Sequence, residues 1–215
     1  MLIVGAVCAL TALVVAFLVD SRTARTRKDI LTTPPDQPTL TDLAPPEYLT
    51  EETIRTQYAQ PADELSPQDR ERISAAIGAI TPLALGWPSD DFVTDQTTKR
   101  AILEPALVLV TEEISRFSDL LPLFRLAVGQ KTGLVVVATS LAREVLATVS
   151  LNVLAGRLAC LCLLSDDLAA VAERCGASVV PATDLTAGWV PDEVLGRVAL
   201  WVSDASQSWI VPLAD

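Results

Sequence analysis

The sequence predicts an α/β protein with a sheet core and flanking helices, preceded by one N-terminal transmembrane helix and a proline-rich linker. Three observations predict it. The first nineteen residues carry no charged side chain, residues 29–46 are rich in proline and threonine, and from about Leu83 valine-rich runs alternate with helical segments.

The opening segment, MLIVGAVCALTALVVAFLV, would span roughly 28 Å as a helix, close to the hydrocarbon thickness of a bilayer. A cleaved signal carries Lys or Arg ahead of its apolar run; here the positive charges Arg22, Arg25, Arg27 and Lys28 come after it. The positive-inside rule keeps that flank in the cytoplasm. The expected topology is a single-pass protein of the inner (cytoplasmic) membrane, N-terminus outside and C-terminal domain cytoplasmic. Arg22, Arg25, Arg27 and Lys28 are then placed to meet anionic lipid headgroups. Residues 20–46 form the basic flank and the Pro/Thr-rich linker, whose prolines favour extended backbone.

Residues 47–82 read as a short helical arm. Thr50-Glu51-Glu52 caps a candidate over Ile54–Ala59. Ser66-Pro67 supplies a cap and a first-turn proline ahead of QDRERISAAIGAI. Residues 83–215 form the main domain. Buried strands are expected at Ala106–Val110, Leu134–Ala138, Ala159–Leu163, Ser178–Val180 and Val198–Val202. Helices are expected at about Ser118–Val128, with Pro122 in the opening turn, Leu141–Ala155 and Asp166–Cys175. Strand–helix–strand repetition implies right-handed crossovers and a mainly parallel sheet.

Composition narrows the chemistry. The 215-residue chain carries 27 acidic against 16 basic side chains, a formal charge of −11, and no histidine. Nucleic-acid binding needs Lys and Arg to displace counterions, so none is expected. Without imidazole, His metal sites, Ser-His-Asp triads and His proton shuttles are excluded. Cys160 and Cys162 alternate on a strand and share a face, and read with Cys175 as reduced core thiols. The pairs Asp90-Asp91, Glu112-Glu113 and Asp166-Asp167 read as solvated caps and ends. No phosphate-binding glycine motif occurs. The expectation is a protein that is not an enzyme, with no catalytic residues, no metal, no cofactor and no nucleotide.

The segment LAREVLATVSLNVLA is the most informative. Wound at 100° per residue, Ala142, Val145, Val149 and Val153 form one stripe with Leu146 at its edge. Ala147, Leu151 and Leu154 fall on the far side. A helix lying on a sheet needs one apolar face, so the second is either covered by another element or open to a partner.

At this helix the sequence resembles the apical, polypeptide-binding domain of group I chaperonins, the GroEL type. The matching stretches are Leu85-Gly86-Trp87 through Phe92, ILEPALVLVTEEIS, DLLPLF, GLVVVATSLAREVLATVSLNVLAG, CGASVV and LGRVALWVSD. The resemblance covers about Leu85 to Val211. It implies a sheet core with flanking helices, two of which form an apolar groove for polypeptide. Carried over by motif position, the groove residues are Trp87, Phe92, Leu121, Phe124, Leu146, Ser150 and Leu151; Ala147 and Leu154 join them from the helical winding. The chain departs from the family: nothing resembles the ATP-binding equatorial domain or the intermediate-domain hinges, the second groove helix is shortened after Leu164-Ser165-Asp166-Asp167, Ser150 stands where the family usually has valine, and Asp91 stands at a tyrosine position.

The expectation that follows is an accessory or scaffold subunit of a larger energy-transducing or transport complex, docked on other membrane-protein subunits. The alternative is a membrane-tethered holdase or assembly chaperone that binds unfolded polypeptide without ATPase activity.

Overall fold

The computed structural model describes residues 65–213. The expected transmembrane span, the basic flank, the linker and the Ile54–Ala59 helix lie outside the described residues. Among the described residues, no helix is long and apolar enough to cross a membrane.

Helix α1 (Pro67–Gly78) starts where the sequence places a cap: the Ser66 hydroxyl accepts from the Asp69 amide at 3.1 Å, and Pro67 takes the first turn. A segment then runs through a 3₁₀ turn (Asp90–Phe92) into β1 (Ala101–Leu103) and β2 (Ala106–Ile114). A second 3₁₀ turn (Phe117–Leu120) leads into α2 (Leu121–Gln130), with Pro122 in its opening turn as expected. There follow β3 (Gly133–Leu141), α3 (Arg143–Leu154), β4 (Cys160–Leu164), α4 (Leu168–Cys175), β5 (Val179–Val180), α5 (Ala182–Ala187), a 3₁₀ turn (Asp192–Val194), β6 (Gly196–Ser203) and β7 (Ser208–Pro212). The Asp167 carboxylate caps α4 by accepting from the Ala170 amide at 3.0 Å.

The seven strands of the described residues join one sheet. Strands β2, β3 and β4 run parallel and adjacent, and β5 lies parallel to the upper part of β2. The expected mainly parallel sheet is corrected at its other side, where β6 runs antiparallel to β2, and β1 and β7 antiparallel to β6. One register joins β1 and the start of β2 against β6, from Ala101↔Ser203 to Val108↔Gly196. The physical reason lies in the connection. A short helix and a 3₁₀ turn separate β5 from β6, and the tight Asp204–Gln207 turn then returns the chain as β7.

Right-handed crossovers put α2 and α3, which step from β2 to β3 to β4, on one face of the sheet. The return from β4 to β5 puts α4 on the other. The main core lies between these layers, built from fully buried runs such as Leu107–Val110 and Leu134–Ala138. A smaller core sits where Ile73 and Ile77 of α1 meet Leu200 and Val202 of β6. Through it, the described part of the expected arm belongs to the sheet domain.

Candidate functional site

The residues expected to hold polypeptide come from three segments. Helix α3 buries Val145 and Val149 against the sheet and lies beside the Asp90–Phe92 turn, the Phe117–Leu120 turn and β4. Leu146 and Val153 pack on the main core from its margin. Ala147, Leu151 and Leu154 are half-buried and are not among the side chains that pack on that core. They repeat at i, i+4 and i+7 along the outward side of the helix.

The remaining expected residues divide between surface and interior. Leu121, at the start of α2, is 40% exposed, directly after the turn that lies against α3. Phe124 is buried, and its ring lies 5.7 Å from that of Phe117. Phe92 is buried in the turn beside α3, and Ser150 is buried on the helix itself. Trp87 is half-buried, packs on the core and donates its Nε1–H to the Ser203 carbonyl at 3.3 Å. In this fold Phe92, Phe124 and Ser150 are interior groups, Leu121 is exposed, and Ala147, Leu151 and Leu154 are half-buried. Arg22, Arg25, Arg27 and Lys28 lie outside the described residues.

The resemblance also implies a second helix alongside the first. The helix that follows β4, α4, packs across β2, β3, β5, β6 and β7 instead, on the opposite face from α3. Among the described residues the neighbours of α3 include the Asp90–Phe92 turn and the Phe117–Leu120 turn that leads into α2. Sequence reading did not single out Val128, 67% exposed and seven residues beyond Leu121. The i, i+7 spacing was the available signal, since it puts both on one side of α2.

The thiols are poor candidates for chemistry. Cys160 is buried beside Cys162, and burial pushes its pKa well up. Burial likewise pushes Cys175 up to about 11. Its Sγ–H lies 3.0 Å from the Val171 carbonyl. Thiols held in this range stay protonated at neutral pH and are weak nucleophiles. Among the described residues, no cluster of Cys, Asp or Glu could hold a metal ion.

Among the described residues Asp95 is a fully buried acidic residue. Asp95 accepts from Arg70 Nε at 3.2 Å and from the Thr98 hydroxyl at 2.5 Å. Burial opposes its charge, but hydrogen bonds from Thr98, Arg70 and the Thr97 amide outweigh that and hold the carboxyl below its ordinary value. These contacts tie α1 to the loop before β1, a structural task.

No family model matches the chain. Solved structures similar to it include an open-state monomer of a group II chaperonin from Methanococcoides burtonii, 12% identical, with a TM-score of 0.37 over 53% of this chain and 28% of that one. Another is the chaperonin gp146 from the bacteriophage EL 2 (Pseudomonas aeruginosa), 10% identical, with a TM-score of 0.46 over 76% of this chain and 41% of that one. The chain spans well under half the length of either chaperonin. The likeness is to a chaperonin-like arrangement of sheet and helices, and at these scores it carries no statement about nucleotide, client or assembly.

Proposed function

We propose that this chain is a non-catalytic, single-span membrane protein whose cytoplasmic domain docks one dedicated protein partner through the outward side of α3. The observation that carries the reading is the row Ala147, Leu151 and Leu154, apolar and outside the core of its own domain. Apolar side chains in such a row gain by leaving water, at about 25 cal/mol per Å² of surface removed. The membrane part rests on the uncharged residues 1–19 and the basic flank Arg22 to Lys28. A tethered domain of this kind suits an accessory or scaffold subunit that holds other membrane-protein subunits together, in an energy-transducing or transport complex. The role needs no cofactor, nucleotide or nucleic acid.

A second reading is a tethered holdase or assembly chaperone without ATPase activity. The exposure of Leu121 and Val128 favours it, because they widen the apolar surface beyond one row.

Gentle solubilisation followed by co-purification separates the two. A fixed, stoichiometric set of subunits that Leu151→Asp releases supports docking. A heterogeneous set of chains, equally lost with Leu151→Asp, supports the holdase. Leu151→Asp without effect on anything bound overturns both. For topology, the expected result is a C-terminal tag protected in intact cells, and a tag reachable from outside overturns the orientation.

A further inference from the structure

We propose that helix α1 is a latch: it undocks from the antiparallel side of the sheet as one unit, while the rest of the domain stays folded, and so uncovers an apolar face of β6 and β7. The proposal goes beyond the docking reading and makes no use of the outward side of α3. It follows from how the two cores divide the molecule. Helices α2, α3 and α4 bury Leu123, Val149 and Val171 in the main core. Of the twelve residues of α1, only Ile73 and Ile77 are buried, and both belong to the smaller core. Beneath them lie Leu200 and Val202, with Ile102, Trp209 and Val211 half-buried around them. Strand β6 does not need this cover to stay in place. Trp201, between Leu200 and Val202, is buried in the main core, and β6 is paired along one edge with β1 and β2 and along the other with β7. Removing α1 strips one face of the strand and leaves its other face and both edges held.

Besides the two isoleucines, charge holds α1 down. Arg70 Nε donates to the Asp95 carboxylate at 3.2 Å, and the Arg72 guanidinium donates two bonds to the Glu104 carboxylate at 2.8 and 2.7 Å. Asp95 is wholly buried, so its pairing with Arg70 belongs to the seated helix. Arg72 and Glu104 are open to water, which replaces their fork at little cost when the helix leaves. Both pairs reach the strip of chain from the loop before β1 to the start of β2, and neither enters the main core. A helix of this length is marginal in water by itself, so undocking and unwinding go together. Segments with few buried apolar groups and a solvated backbone open locally, ahead of the whole molecule. Under the tethered reading, α1 is also the first of the described elements after the linker. A pull between span and sheet passes through it before it reaches a strand.

The test is native-state hydrogen exchange on the full-length protein in nanodiscs of neutral lipid, followed across a series of low urea concentrations. The amides of α1 are expected to exchange on the order of a hundredfold faster than those of residues 108–110 and 135–137, with little dependence on urea. Ile77→Asp should abolish protection in α1 and leave that of β2 and β3 within about twofold. Placed together with Leu200→Cys, it should speed labelling of the new thiol by a water-soluble maleimide about tenfold or more, because the face is then uncovered. Arg72→Gln should raise exchange in α1 about threefold, the share of one exposed ion pair. One exchange rate and one urea slope for α1 and the central strands overturns the latch, a result that needs no variant to fold. Loss of protection in β2 and β3 with Ile77→Asp also overturns it, because α1 is then part of what holds the sheet, and so does unchanged labelling at residue 200. No change in α1 with Arg72→Gln overturns the part given to charge. The readouts are independent of co-purification with Leu151→Asp, so the latch and the docking reading fail separately.

Discussion

The two sides of the sheet are held together by different physics. The parallel side, β2 to β5, is filled with aliphatic side chains and contains few polar groups. Thr111 is an exception, and its hydroxyl donates to the Val180 carbonyl at 2.7 Å, pinning β5 to β2. The antiparallel side, β1, β6 and β7, contains a hydrogen-bonded chain. Trp201 Nε1 donates to Ser203 Oγ at 2.9 Å, the Ser203 and Ser208 hydroxyls lie 2.6 Å apart, and Ser208 donates to the Leu85 carbonyl at 2.6 Å. The indole can only donate and the Leu85 oxygen can only accept, so every proton in this chain has one direction. The parallel side gains from bulk and tolerates shape changes within it, whereas the antiparallel side depends on particular atoms.

The largest expected effect tests bulk. Leu163→Ala in β4 removes a fully buried side chain and leaves a cavity, with an expected loss of about 3 kcal/mol in urea unfolding. Leu163→Met should cost about 1 kcal/mol or less, because volume is kept. An equal loss for Ala and Met would show that shape matters on the parallel side too. The matching test of particular atoms is Gly86→Ala. A Cβ at residue 86 would sit 2.0 Å from the Ala205 carbonyl oxygen, in the turn between β6 and β7. That contact is with backbone and cannot be relieved by a rotamer, so a loss of about 2–3 kcal/mol is expected. Gly78→Ala, with open space around it, should change stability by less than about 1 kcal/mol.

Next comes the hydroxyl chain. Ser208→Ala removes the acceptor of Ser203 and the donor to Leu85 in one step, inside the protein. The expected loss is about 2 kcal/mol, more than the net worth of a single hydrogen bond, because buried groups are left without partners. Ser208→Cys, which keeps a weak donor and acceptor, should recover part of it. If Ser208→Ala is neutral, the chain is not what orders the antiparallel side.

This contrast also explains what the sequence could tell. Aliphatic runs of five residues announce β2, β3 and β4 because a strand buried on both faces has no other composition. Helix α3 was legible for the related reason that its core stripe repeats on a helical period. Strand β1 has three residues ahead of Glu104-Pro105, and β7 reads SWIVP, so neither shows a long valine run. Their place comes from pairing with β6, a long-range contact that local composition does not encode. At the candidate site the winding of α3 put Val149 on the core stripe, where the fold buries it, and Leu151 off that stripe, where it is half-buried. It could not assign Phe92 and Phe124, whose burial depends on turns brought in from other segments. The expected helix pair failed as geometry because the crossover hand, and not the motif, decides on which face α4 lands.

The next effect in size concerns pH. Cys175 sits in the main core at the end of α4, and its thiol is raised from an ordinary value of 9.0 to about 11. A group whose folded value is raised lends stability that is fully present below 9 and is lost as pH climbs from there towards 11. Cys175→Ala should therefore lose less stability than the parent between pH 8 and pH 11, by on the order of 2 kcal/mol. Asp95 has the opposite sign. Its folded value is lowered, so its contribution is present above its ordinary value near 3.8 and fades as pH falls through that point. The gap between the parent and Asp95→Asn should close below about pH 4.

The smallest effect compares one turn from each side. Lys131 ends α2 at φ 56°, and Lys99 turns the loop before β1 at φ 53°, both in the left-handed region that side chains with a Cβ disfavour. At Lys131 the chain closes the helix in the usual way, with the Thr132 amide reaching back to the Ala127 carbonyl at 3.0 Å. Glycine relieves the strain at either position but adds freedom to the unfolded chain, so the net gain is small. Lys131→Gly should stabilise by about 0.5 kcal/mol, a rise of roughly 1–2 °C in Tm. Lys99→Gly should gain less, because it also removes the Lys99 Nζ hydrogen bond to Gln96 at 2.8 Å. That bond is exposed and contributes little, so the two variants differ by a few tenths of a kcal/mol. A clear loss at Lys99 with a gain at Lys131 would mean that the loop before β1 depends on its side chains as the hydroxyl chain does, extending the atom-by-atom character of the antiparallel side to the residues that lead into it.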